Sequence, residues 1–131
     1  MKKTLLTLLL CLPMAAGAQT IASKIESMGH MDHLQVAALK SAVRDGLLKL
    51  QLEVVNDWHN QQVLHWRVRW LDEDGFQVGG DEPWKQELLH GKQRKVLQTV
   101  APTRRATDFK IELQSPENSA YDAHAADHDQ Y

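Results

Sequence analysis

Hydrophobic and polar residues alternate one by one along several short segments of the chain. In Val63 to Leu71 the apolar side contains Leu64, Trp66, Val68 and Trp70, and the polar side contains His65, Arg67 and Arg69. A period of two residues is typical of a β-strand with one buried face. The same alternation over residues 47–55 predicts a second strand, whose apolar side faces the core.

Turn signals separate these strands from further ones. Asp45-Gly46 predicts a hairpin, because glycine adopts positive φ at little cost. The strand before it, over residues 34–43, shifts its alternation near Ala37-Ala38, which predicts a β-bulge. Shorter strands are predicted over 84–89, 94–100 and 109–113, with a short apolar piece at 76–78. Six to seven strands at this spacing predict an all-β, antiparallel β-sandwich.

The alternation also suggests a register between the two central strands, with 47–55 paired directly to 63–71. Inward pairs would be Val54 with Leu64, Leu52 with Trp66, Leu50 with Val68, and Leu48 with Trp70. Outward pairs would be Glu53 with His65, Gln51 with Arg67, and Lys49 with Arg69. A slip of one residue would break every inward pair, so the hypothesis is sharply defined.

The N-terminal residues have the features of a secretory signal peptide. Lys2 and Lys3 precede an apolar run at 4–12 that is too short to span a bilayer, and small residues end at Ala18. Cleavage after Ala18 is therefore predicted. Lipid attachment at Cys11 is the rival interpretation, but Leu10 stands where lipoprotein processing needs a small residue.

Four segments follow from these patterns. They are the signal peptide (1–18), an N-terminal arm (19–33), the β-sandwich domain (34–114) and an acidic, histidine-containing tail expected to be disordered (115–131). The expected location is the periplasm, as a soluble protein after cleavage.

Composition excludes several classes of function. Removal of Lys2 and Lys3 changes the formal net charge from −2 to −4, and no basic block or long apolar run remains, so neither nucleic acid nor a transmembrane segment is expected. Cys11, the one cysteine, would be removed with the signal, so thiol chemistry is not expected. No nucleophile elbow or phosphate-binding glycine loop occurs, and we therefore expect no enzyme.

Several motifs resemble the YcfL-like family of uncharacterised bacterial envelope proteins. They are Asn56, the run W-R-V-R-W-L-D-E-D-G-F at 66–76, Trp84, and V-A-P-T-R-R-A-T-D-F-K-I-E-L at 100–113. The resemblance covers about residues 34–113. It implies a small immunoglobulin-like sandwich in the envelope of a Gram-negative bacterium, with no established activity. Many members look like lipoproteins, whereas no lipid attachment is expected for this chain.

The candidate binding residues are Trp58, His65, Arg67 and Arg69. Trp58 lies in a polar turn, where it is either a contact anchor or a lid over the end of the sandwich. The other three form a face, with Lys49 beside them, that would attract an anionic envelope component or an envelope protein. The alternative is an ordinary solvated sheet face with paired charges, which we favour. Trp66 and Trp70 are assigned to the core.

Histidines and methionines near the two ends suggest metal binding as the alternative function. The candidate ligands are Met28, His30, Met31, His33, His124 and His128. Imidazole suits copper or zinc, and thioether adds a preference for Cu(I). Adventitious affinity of a polar arm and tail is the competing interpretation, so no cofactor is assigned. The main hypothesis is an exported, non-catalytic binding module of unknown partner.

Overall fold

The computed structural model of the protein describes residues 21–116. The predicted signal peptide and the tail beyond residue 116 lie outside these residues. The elements are α1 (Ile21–Lys24), β1 (Ile25–Met28), β2 (Leu34–Arg44), β3 (Leu47–Asn56), β4 (Gln62–Leu71), β5 (Lys85–Leu89), β6 (Arg94–Val100) and β7 (Asp108–Gln114).

Within residues 21–116, seven strands form two sheets, which confirms the predicted all-β sandwich. One sheet has the order β1-β7-β4-β5, and the other has the order β2-β3-β6. Neighbouring strands are antiparallel except for β1, which runs parallel to β7. No helix within residues 21–116 is long and apolar enough to cross a membrane.

The core lies between the inward faces of the two sheets. The alternating rows predicted for β3 and β4 are buried, and Trp66 and Trp70 belong to the core as expected. Phe109, Ile111 and Leu113 of β7 complete the inner wall of the four-stranded sheet. Burial of these apolar side chains is the main stabilising term, at about 25 cal/mol per Å² of apolar surface.

Two local predictions are confirmed by the backbone. Asp45 and Gly46 join β2 to β3 with φ values of 53° and 77°, the positive φ angles that a two-residue type I′ turn requires. The register of β2 against β3 shifts between Val36 and Ala38. The bulge therefore lies where the apolar alternation changes phase.

The predicted pairing of β3 with β4 is wrong. β3 pairs with β2 and β6, whereas β4 pairs with β5 and β7, so the two strands lie in different sheets. The outward pairs also differ. Glu53 bonds to Arg94, Gln51 to Gln98, and Arg67 to Glu112.

The prediction was wrong because two strands whose apolar residues have the same period can be arranged in two ways. Apolar rows can match side by side in one sheet, or face each other across the core of a sandwich. Residues 57–61 carry the chain from one sheet to the other. Alternation defines the buried face of a strand, but it does not identify the strand's neighbours.

The structure adds a strand inside the segment predicted as an N-terminal arm. β1 extends the four-stranded sheet, with Ile25 beside Ile111 and Glu26 beside Glu112. The apolar piece at 76–78 makes one bridge, Leu71 with Gln77, instead of a full strand. β1 is therefore an edge strand of the four-stranded sheet, and no alternation in the sequence predicted it.

Asn56 holds together two turns at one end of the sandwich. Its side chain is fully buried, and its Nδ2 donates to the carbonyl oxygens of Asn60, His90 and Leu89 at 2.8, 3.0 and 3.3 Å. Its Oδ1 accepts from the backbone N–H of Trp58 at 3.0 Å. One amide therefore satisfies both the β3–β4 turn and the β5–β6 turn.

We predict that Asn56→Ala lowers the free energy of unfolding by about 3 kcal/mol, because buried carbonyls and an N–H lose their partner. Urea denaturation monitored by tryptophan fluorescence measures the change. Asn60→Ala is the matched control in the same turn, since the Asn60 side chain is exposed, and it should stay within about 0.5 kcal/mol. Equal effects of the two variants would contradict this role of Asn56.

Candidate functional site

A row of polar side chains crosses the outer face of the four-stranded sheet. Strand register places Arg67 of β4 beside Glu112 of β7, and Glu112 beside Glu26 of β1. Trp84, just before β5, completes the row, because its ring lies 4.5 Å from the guanidinium carbon of Arg67. We call these four residues the charged row. Arg67, Glu112 and Glu26 occupy outward positions because β-strand side chains alternate, and Trp84 joins them through its contact with Arg67.

Glu112 is the buried centre of the charged row. It is 4 % exposed, although it lies on the outer face of the sheet. Its Oε2 accepts a hydrogen bond from Nε of Arg67 at 2.5 Å, and its Oε1 lies 3.6 Å from Nη1 of Arg69. A buried carboxylate needs such compensation, because desolvation of an unpaired charge is expensive.

Arg69 links the two carboxylates that β1 and β7 place side by side. Its Nη2 donates to both oxygens of Glu26, at 2.9 and 3.0 Å. The repulsion between the neighbouring carboxylates of Glu26 and Glu112 is therefore offset by one guanidinium. Two arginines and two glutamates leave this cluster formally neutral, and Lys49, expected beside it, lies on β3 in the other sheet.

Arg67 is partly exposed to solvent. Its side chain is 26 % exposed, Glu112 engages only Nε, and Trp84 covers one face of the group. Within residues 21–116, no further acceptor bonds to its two terminal nitrogens. A guanidinium held on one edge and one face presents its remaining N–H groups in a fixed direction, which suits planar anions.

His65 lies one row further along the same face. Its strand neighbours are Gln86 of β5 and Gln114 of β7, and Gln114 is in turn beside Met28 of β1. This second row carries amides, an imidazole and a thioether. It extends the charged row with neutral hydrogen-bonding groups, so His65, Arg67 and Arg69 form one continuous surface as predicted from their spacing.

Trp58 lies elsewhere, at the end of the sandwich where Asn56 joins the loops. Its ring stacks on His33 with centroids 4.5 Å apart, and His59 meets it edge-on at 5.2 Å. Gly91 of the β5–β6 turn approaches this loop so closely that a Cβ would lie 2.0 Å from the carbonyl oxygen of His59. His33 and His59 thus support the half-buried Trp58 ring, and the β5–β6 turn packs against the backbone of the same β3–β4 turn.

The candidate metal ligands divide between two environments. Met28 ends β1, whereas His30, Met31 and His33 lie in the β1–β2 loop, and His124 and His128 lie outside the described residues. Nδ1 of His33 is 3.5 Å from Oδ1 of Asp57. In the part of the chain from 21 to 116, no group of three or more histidine, aspartate or glutamate side chains is arranged to hold a metal ion.

A separate ion pair attaches α1 to the start of β7. Nζ of Lys24 lies 2.5 Å from Oδ1 of Asp108. Burial alone raises the pKa of the Asp108 carboxyl, but hydrogen bonds from Lys24 and from the Phe109 N–H outweigh it, so the net pKa is lowered. The ion pair between Lys24 and Asp108 therefore stabilises the fold at pH values above the pKa of Asp108 in the unfolded chain. This stabilisation is lost as the pH falls through the lower pKa of Asp108 in the folded protein.

Glu112, Glu26 and Trp84 are the site residues that sequence reasoning missed. Glu112 alternates with the apolar residues of β7, so it falls on the polar side of the strand, where burial is not expected. The available signal was chemical, because two arginines on one sheet face are stabilised by carboxylates on neighbouring strands. Only the pairing of β4 with β7 shows that Glu112 is the carboxylate beside Arg67.

The fold and these surfaces define a small two-sheet β-sandwich whose larger sheet carries an internally compensated ionic outer face. The chain belongs to the family described as "Protein of unknown function (DUF1425)", which matches residues 21–115.

Two crystal structures resemble the chain in fold. Campylobacter jejuni cj0090 has a TM-score of 0.60 and 22% identity, covering 70% of this chain and 97% of that one. A DUF1425 family member from Shewanella sp. pv-4 has a TM-score of 0.57 and 23% identity, covering 61% of this chain and 75% of that one. A comparison with curated proteins finds no match.

We predict that Glu112→Gln lowers the free energy of unfolding by about 3 kcal/mol, because two guanidinium groups lose a buried counter-charge. Glu53→Gln is the matched control on the other sheet. Glu53 pairs with Arg94, whose side chain is 64% exposed, so its loss should cost less than about 1 kcal/mol. Thermal and urea denaturation measure both variants, and similar losses would refute a special role of Glu112.

Proposed function

We propose that the protein is an exported, non-catalytic envelope protein that binds an envelope protein or an anionic envelope component. Within the family, we propose that it is a YcfL-like member. The signal-like residues 1–18 support export to the periplasm and release there without lipid attachment at Cys11. The observation that carries the binding proposal is the partly exposed Arg67 side chain, whose guanidinium is fixed by Glu112 and Trp84.

The proposed ligand chemistry follows from that guanidinium. Because the cluster of Arg67, Arg69, Glu26 and Glu112 is formally neutral, long-range attraction of anions contributes little. Recognition would depend on short-range hydrogen bonds from the terminal nitrogens of Arg67, which fit a carboxylate or phosphate oxygen pair. The neighbouring row around His65 would supply neutral contacts, and rigid support on strands favours a defined geometry.

Trp58 is proposed as a second contact at the loop end of the sandwich. Aromatic residues dominate the energetics of many interfaces, and loops at the ends of sandwiches often carry recognition residues. The stacking of Trp58 on His33 holds the ring in place without burying it completely, which reduces the entropy lost on binding.

We predict that Arg67→Lys abolishes partner capture while leaving the fold intact. Lysine keeps a cation beside Glu112 but loses the planar fork of donors. Capture is measured in producing cells with a photo-crosslinking residue at Gln86, which is exposed beside His65. The partner is identified by mass spectrometry, and the melting temperature of each variant is measured in parallel.

Arg94→Lys is the matched control, since Arg94 is also an ion-paired arginine but lies in the three-stranded sheet. It should leave capture at Gln86 unchanged. A crosslinker at the exposed Val96 of that sheet controls for non-specific labelling. Capture that persists at full yield in Arg67→Lys would disprove a binding role of the Arg67 fork.

Metal binding by the terminal histidines and methionines is the second candidate. One observation favours it. His33 directs Nδ1 toward the Asp57 carboxylate, the arrangement by which metal-binding histidines are commonly oriented, and Nε2 would then be the nitrogen that binds the ion. Met28, His30 and Met31 are near it in sequence, and His124 and His128 would have to approach from the tail. The proposed ion is copper or zinc.

If this second function holds, chelator-stripped protein should bind Zn(II) or Cu(II) stoichiometrically with sub-micromolar Kd, equivalent to about −8 kcal/mol or better. Calorimetric titration measures this, with a competition assay for Cu(I). His30→Ala with His33→Ala, and separately His124→Ala with His128→Ala, should each weaken binding at least tenfold. His90→Ala, an exposed loop histidine, is the control. Weak multi-site binding in the unaltered chain would exclude a dedicated metal site.

A further inference from the structure

The outer face of the three-stranded sheet contains a shallow basic concavity of about 500 Å³. Lys40 and Arg44 of β2 and Lys49 of β3 line it, together with the amides of Gln51 and Gln98, which are hydrogen-bonded to each other at 2.8 Å. Among residues 21–116, no carboxylate lines the concavity. This surface lies on the opposite side of the sandwich from Arg67.

The three cations differ from most others in the described domain because no ion pair compensates them. Six other lysines and arginines have a carboxylate within 4 Å: Lys24, Arg67, Arg69, Lys85, Arg94 and Lys95. Within residues 21–116, Lys40, Arg44 and Lys49 have neither an ion pair nor a side-chain hydrogen bond. Three like charges around one concavity repel each other, so a bound anion would relieve an existing cost.

The distribution of charge along the chain indicates which of its segments can supply such an anion. Residues 21–116 contain 13 lysines and arginines against 13 aspartates and glutamates, so their formal net charge is zero. Residues 117–131 contain Glu117, Asp122, Asp127 and Asp129 and no lysine or arginine. The whole negative excess of the chain after residue 18 therefore belongs to this acidic segment.

We propose that the acidic segment 117–131 docks onto the basic concavity of its own chain. Charge complementarity selects this occupant, and its covalent attachment supplies it at high effective concentration. The contacts are surface ion pairs, individually weak and sensitive to salt. Docking is therefore reversible, and the concavity is open to other anions when the segment leaves it.

The chain is long enough for this contact. The described residues end at Pro116, just after β7, whereas the concavity begins near the Asp45-Gly46 hairpin at the far end of the sandwich. Gly46 lies against Arg104, which precedes β7 by four residues. The hairpin is therefore at the end of the sandwich where β7 begins. The separation is about 25 Å along the strands and about 10 Å between the sheets. Fifteen extended residues reach about 50 Å.

Zero-length carbodiimide crosslinking of the processed full-length chain (residues 19–131) tests the proposal. The reagent joins lysine amines to carboxyl groups in direct contact, and peptide mass spectrometry assigns each link. We expect Lys40 and Lys49 to link to carboxyls of the segment in a product of monomer size, at least threefold more than Lys92 and Lys110 do. Those two lysines bond to backbone carbonyls elsewhere. Sodium chloride at 0.5 M should remove the excess.

Arg44→Gln provides a second measurement, because Arg44 attracts the segment but cannot itself be linked. It should reduce the links at Lys40 and Lys49 at least threefold, whereas the control Arg94→Gln, on the same sheet but ion-paired, should not. Equal labelling of all four lysines, or no effect of Arg44→Gln, would overturn the proposal. Links found only in products of dimer size would also overturn it, in favour of the segment of a second copy.

Discussion

The carboxylate of Glu112 lies in the middle of a sheet, almost removed from water, and its charge must be compensated there. Arg67 and Arg69 provide the compensation from β4, and their positions require β4 to be the neighbour of β7. Arg69 also binds Glu26, so its guanidinium helps to attach β1 to the edge of the sheet. Strand order and the ionic outer face are therefore parts of one arrangement.

This compensation makes the two outer faces of the sandwich physically different. On the four-stranded sheet Arg67 and Arg69 are held in place and neutralised, so their use is short-range and directional. On the three-stranded sheet Lys40, Arg44 and Lys49 are uncompensated, so their field acts at longer range and depends on salt. A single small domain thus presents one rigid hydrogen-bonding surface and one electrostatic surface.

The loop end of the sandwich shows a related principle with a neutral group. Asn56 satisfies the backbone of two turns from a fully buried position, and the ring of Trp58 then rests on His33 beside them. A buried amide with every partner present makes loop conformations specific rather than merely compact. The position of Trp58 is consequently a property of the fold and not of a free loop.

Local pattern in the sequence was sufficient to determine strands β2 to β7, their apolar faces, the Asp45-Gly46 hairpin and the bulge at Ala37-Ala38. Each of these depends on side-chain alternation or on backbone preference within a few residues. The neighbours of β3 and β4, the position of β1 and the burial of Glu112 were decided only by the tertiary structure. Apolar rows of equal period fit several pairings, and only the complete packing of both sheets selects one of them. The candidate surface could be predicted as a row of residues, but the partners of its charges come from strands distant in sequence, which alternation does not encode.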